Sequence, residues 1–147
     1  MRMIALILAV GLALSTVAFA QQEPAAAPSA STYQPKFAGD KAHSTAEAAA
    51  LGYMRTVVSA EKVYKKKRGS YTASLSALVG SGSFTKRMAQ TDRGDYTVSM
   101  KPKKDGYSLA LTPKQFDSEH RAFYVDETGV FRGEEGKSAT ASSPVLK

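Results

Sequence analysis

The chain has 147 residues, with 20 Lys and Arg against 13 Asp and Glu, a formal net charge of +7, two His and no Cys. The lack of thiols excludes disulfides, thiol catalysis, Cys-ligated zinc and c-type haem attachment. The basic excess suits contact with anionic lipid, polysaccharide or nucleic acid, but it is moderate, and interspersed acids make solubility the plainer reading.

Residues 1–20 open with Arg2, run apolar from Ile4 to Leu14 and end in Ala18-Phe19-Ala20. A charged start, an apolar middle and small residues two apart predict a secretory signal peptide, cut before Gln21. The alternative is a retained membrane anchor, so that membrane contact is expected only through an uncleaved signal. Its removal takes away one basic residue, Arg2, and no acidic one, leaving +6. The expected location is therefore periplasmic or extracellular. Residues 21–43 are rich in Ala, Pro and Ser. They carry too little apolar surface to offset the entropy of ordering them, so a disordered tether is expected. Residues 44–143 are patterned throughout, enough for one small domain with one core. Residues 144–147 are read as a tail.

Ser44-Thr45-Ala46-Glu47 has the spacing of a capping box, in which the Ser hydroxyl and the Glu carboxylate each accept from the other's backbone N–H. A helix over 44–68 is predicted. Ala50, Leu51, Met54, Val57, Val58 and Tyr64 recur at spacings of three and four and form its apolar stripe. Lys65, Lys66, Lys67 and Arg68 complement the dipole at its C-terminus, and Gly69 offers a left-handed cap. Glu61 sits on or near this stripe and is expected to be a solvated carboxylate within reach of Lys65, the alternative being a buried functional acid.

A loop with short helical turns follows. Leu75 and Leu78 mark one turn, closed by Gly80 and Gly82, and residues 84–90 suggest another. Three strand signals come next. Tyr96, Val98 and Met100 alternate with polar residues, as do Tyr107, Leu109 and Leu111. The Lys103-Lys104-Asp105-Gly106 turn joins these two segments into a hairpin. Residues 121–125 form the third strand, with Phe123 and Val125 on one face and Tyr124 on the other. Asp126-Glu127-Thr128-Gly129 reads as a type I turn leading to a fourth strand at 130–133, and 137–144 as a small polar segment along the surface. The fold class is α+β: one long N-terminal helix packed on a small antiparallel meander sheet.

This order resembles the globular head of type IV pilins and type II secretion pseudopilins. The likeness rests on Ala60-Glu61-Lys62-Val63-Tyr64 at the helix end, Gly69-Ser70-Tyr71, Leu75 and Leu78 after it, and the strands joined through Asp105-Gly106-Tyr107. It also rests on Phe123-Tyr124-Val125-Asp126-Glu127-Thr128-Gly129-Val130-Phe131-Arg132, with Ala139-Thr140 and Ser142-Ser143-Pro144 downstream. It covers about residues 48–144. The leader differs. Pilins keep an apolar helix half after the cut, whereas here the apolar segment precedes the expected cut, in the manner of a Sec-type signal. The resemblance is to the head alone. It implies a pilin-like domain that acts through protein–protein contacts at the cell envelope, with pilus or secretion proteins as partners.

A search for chemistry yields little. His43 and His120 are far apart, and neither has the company of a hydrolase triad or a zinc site. Asp117 and Glu119, Asp126-Glu127 and Glu134-Glu135 cluster near the last hairpin as hard oxygen donors, a region where some pseudopilins bind calcium. Their spacing matches no EF-hand loop, and turn chemistry accounts for them. Gly80-Ser81-Gly82 lacks the setting of a phosphate loop. No enzyme activity and no cofactor are expected. The alternative function is a binding module for an anionic polymer, DNA or polysaccharide. It would use Lys65, Lys66, Lys67, Arg68, Lys101, Lys103 and Lys104, with Tyr64, Tyr71 and Tyr107 as stacking platforms.

Overall fold

A computed structural model describes residues 33–35 and 37–147. The expected signal peptide and most of the expected tether, residues 21–32 and 36, lie outside the described residues.

Helix α1 spans Thr45–Arg68. Ser44 is extended, and its hydroxyl accepts from the Glu47 N–H at 3.1 Å, so half of the capping box forms. The other half does not. The Glu47 carboxylate accepts from the His43 N–H at 2.7 Å, one residue further out than the motif places it. Gly69 closes the helix at φ 83°, its N–H bonded to Lys65 O. The buried face carries Ala50, Leu51, Tyr53, Met54, Val57, Val58 and Ala60. Each large aliphatic side chain buried there contributes roughly 1.5–3 kcal/mol. Tyr64 is only partly buried at the edge of this core.

Two short 3-10 turns, Ser76–Leu78 and Lys86–Ala89, punctuate the connection that follows. Leu75, Leu78 and Phe84 anchor it in the core.

The sheet has five antiparallel strands in simple meander order: β1 Asp92–Arg93, β2 Tyr96–Lys103, β3 Gly106–Pro113, β4 Ala122–Asp126 and β5 Arg132–Glu134. The α+β class holds. Strand β1 had no sequence signal, because two residues are too few to show an alternation. The fourth expected strand starts two residues later than its pattern suggested, at Arg132.

Register decides the faces. Val98 opposes Leu111 and Met100 opposes Leu109, while Leu111 opposes Phe123 and Leu109 opposes Val125. These residues share one face and join the α1 side chains in a single core. Strand β4 departs from simple alternation: all five of its residues are buried. Its second face is covered as well, since Ala122 and Tyr124 pack with Ala139 from the C-terminal segment. The 137–144 segment thus lies on the sheet, but Ala139 and Ser143 are buried in it.

The two ends of the described chain also dock. Arg132 bridges to Val145, Gly133 N–H donates to Pro144 O at 3.0 Å, and Leu146 N–H donates to Phe131 O at 3.0 Å. The residues read as a tail therefore extend the sheet edge. Among the residues read as tether, Ala42 is buried, Lys41 Nζ donates to Leu146 O at 2.8 Å, and the Arg55 guanidinium lies over the Phe37 ring. Among the described residues, no helix is long and apolar enough to cross a membrane.

Candidate functional site: a basic end and two buried carboxylates

The helix C-terminus and the β2–β3 turn meet at one end of the molecule. Lys65 Nζ sits over the Tyr71 ring, 4.2 Å from its centroid. Tyr71 makes an edge contact with Tyr107 at 5.5 Å, and Tyr107 opposes Pro102 beside the turn. Lys65, Lys66, Lys67, Arg68, Lys101 and Lys104 are all exposed. The seven cations singled out in the sequence thus come to a common end, but on two aspects of it. Lys101 and Lys103 occupy the outward face of β2, since they alternate with Met100 and Pro102, which oppose the buried Leu109 and Tyr107.

Lys103 differs from the other six. Its Nζ lies 3.0 Å from Asp126 Oδ2 and 2.8 Å from Glu127 Oε1. Those hydrogen bonds hold the ammonium protonated well above its usual range. The charge is spent inside the domain. Asp126 is half of the reason. Burial works against its ionisation, yet donation from the Thr128 hydroxyl and from Lys103 keeps its carboxyl below the usual range. Asp126 also accepts from Thr128 N–H at 3.0 Å, and Gly129 N–H bonds Asp126 O at 2.9 Å, which closes the expected turn. A Cβ on Gly106 would meet Glu127 Oε2 at 2.5 Å. The glycine after Asp105 therefore serves the neighbouring turn as much as its own, letting the Glu127 side chain lie across β3.

Of the two stacking candidates here, Tyr107 is buried and Tyr71 half-buried. Tyr107 belongs to the core.

Tertiary structure adds two carboxylates that sequence reasoning misjudged. Glu47, read only as a capping residue, is fully buried and receives Arg121 from 74 positions away. Arg121 Nε donates to Oε1 at 3.0 Å and Nη2 to Oε2 at 2.8 Å, a bidentate pair, with the Arg121 backbone N–H adding a third bond at 2.9 Å. Arg121 Nη2 also reaches Lys41 O at 2.6 Å. Such a pair needs every lone pair occupied to offset desolvation, and here both oxygens are.

Glu61 corrects the expectation of a solvated residue. It is fully buried. Oε2 accepts from Thr72 N–H at 3.1 Å, while Oε1 is buried with no hydrogen-bond partner. Burial pushes its carboxyl up to about 7, only partly opposed by the Thr72 bond. Lys65 does not pair with it but turns to Tyr71. The clue in sequence was its position on the apolar stripe, one turn beyond Val57.

The remaining polar groups serve local structure. His120 stands 2.7 Å from Asp117 Oδ1 and 3.6 Å from Asp95 Oδ2, against the Tyr96 ring. Glu134 accepts from the Ser143 hydroxyl at 2.7 Å. Among the described residues, no three His, Asp or Glu side chains converge in a way that could hold a metal ion. No family model, no curated protein and no solved structure matches the chain.

Proposed function

We propose that this chain is an exported, non-enzymatic, pilin-head-like domain that works through protein–protein contacts at the cell envelope, as an accessory of a pilus or type II secretion system. The order of elements carries this reading: a helix laid on one face of an antiparallel meander, with the Asp126–Gly129 turn before the last strand. The contact surface is the outward face of β2 and β3. There Thr97, Ser99 and Lys101 are exposed and Ser108, Ala110 and Thr112 partly so, while the C-terminal segment covers the corresponding face of β4. The mostly short side chains of this face admit close approach at little conformational cost. The test places a photo-crosslinking side chain at Ser99 and at Ala110 in the native host, with Lys86 as control. An adduct with an identified pilus or secretion component at the first two positions only is expected. Absence of any adduct on that face rejects the reading.

The joined basic end favours a second reading, binding of an anionic polymer. Six exposed cations on two elements gather at one end of the molecule, where Lys65 lies over Tyr71 and Tyr71 contacts Tyr107. Binding of duplex DNA or an anionic polysaccharide should then weaken steeply with salt. The Lys66→Glu, Lys67→Glu double variant should flatten the slope of log K against log salt on duplex DNA by roughly 2. An unchanged slope, or no binding at low salt, removes this reading.

A further inference from the structure

A cleft of about 570 Å³ opens between the first half of α1, the Lys86–Ala89 turn and the β1–β2 hairpin. That volume lies within the range of small-molecule sites. Ala46, Ala49 and Ala50 form a wall of small apolar groups on the helix side, with Met88 across from them. Tyr53 donates its hydroxyl to Met88 O at 3.0 Å, which ties that wall to the helix.

The charges around the cleft do not cancel within it. Arg87 and Arg93 both line it. Among the described residues, neither guanidinium lies within 4.0 Å of a carboxylate. Arg93 is held in place, lying over the Tyr53 ring at 4.4 Å and donating to Arg87 O at 3.4 Å. Two aspartates also line the cleft, but each faces a basic side chain. Asp92 is 76% exposed and pairs with Lys114 at 2.8 Å, and Asp95 is 67% exposed and faces His120. Neither of those cations lines the cleft. Two arginines without a carboxylate partner, exposed Arg87 and half-buried Arg93, therefore border a cleft with an apolar wall.

The geometry points to a binding site for a small organic anion that joins one carboxylate or phosphate monoester to an apolar body. The planar guanidiniums take the anionic group through paired N–H donors. The alanine wall and Met88 take the body. This site is independent of the basic helix end, which lies roughly 25 Å further along α1 from Ala49 at 1.5 Å per residue.

Phenyl phosphate is a suitable probe, with phenol and inorganic phosphate as the two halves of it. The experiment follows backbone amide shifts of the chain from residue 21 onward during titration. Phenyl phosphate should move Ala49, Met88 and Gly94, and each half alone should bind at least about fivefold more weakly. The Arg87→Gln, Arg93→Gln double variant should bind at least about tenfold more weakly, the factor for one lost charge-assisted hydrogen bond. Ala49→Leu, at an exposed helix position, adds bulk to the cleft's helix wall while keeping both arginines and should also weaken binding. Equal affinity in the arginine variant overturns the proposal, as do shifts confined to residues 65–68 or no shifts at all.

Discussion

Glu61 is a carboxylate on the apolar stripe of a helix, and its effect on stability has a definite sign. Burial raises its value from 4.5 to about 7 in the folded chain. Between those values the native state keeps a proton that the unfolded state has lost. Its contribution is therefore fully present below pH 4.5, is lost as pH climbs to about 7, and is level beyond. The expected loss is up to about 3 kcal/mol. His120 acts in the same direction. Partial burial disfavours its charged form, but Asp117 and Asp95 outweigh this and raise its value above 6.5, so its contribution is present below 6.5 and lost as pH rises through the folded value. Denaturant midpoints measured from pH 4.5 to 8 should fall with pH in the wild type. They should fall less in Glu61→Gln, and a parallel fall in that variant would contradict the assignment. Glu47 tests a different point. Glu47→Ala leaves Arg121 poorly solvated and frees the His43 and Arg121 N–H groups, so a loss of about 3–5 kcal/mol is expected by urea titration. Glu47→Gln, which keeps some of those bonds, should lose less.

At the scale of elements, the final segment behaves as part of the sheet. Pro144, Val145 and Leu146 pair with Phe131, Arg132 and Gly133, and the Arg132 guanidinium donates to Ser143 O at 2.8 Å. Leu146 packs against the main core. Deleting residues 143–147 removes these bonds and uncovers Phe131, so a loss of roughly 2–4 kcal/mol is expected, with faster amide exchange in β5 than in β2. Unchanged β5 protection would mean that the segment adds nothing. The pattern that predicted β2 and β3 was visible because those strands bury one face only. Strand β4 hid its second burial, since Tyr124 looks like an outward residue until Ala139 arrives from another part of the chain.

At the scale of the molecule, the export reading makes a prediction of its own. N-terminal sequencing of the protein from its native host should begin at Gln21, and a retained Met1 or Arg2 would argue for an anchored chain instead. Loss of Arg2 changes the net charge by one, so the basic character belongs to the domain itself. That character is unevenly placed: cations collect where α1 ends and the β2–β3 hairpin turns, and again as two arginines at the cleft.

What the linear chain determined by itself were features set by near neighbours: the serine cap, the helix period, the strand alternations and the turn at Asp126. Those depend on contacts within about four residues or on side-chain direction along one element. Tertiary structure alone decided the roles of groups whose partners are distant in sequence. Arg121 reaches Glu47 across 74 positions, and Lys103 reaches Asp126 across 23. Whether a carboxylate is solvated, as Glu61 was expected to be, depends on which loop folds over it. Helix periodicity places Glu61 on the buried stripe, but only the fold shows that Thr72 alone meets its carboxylate.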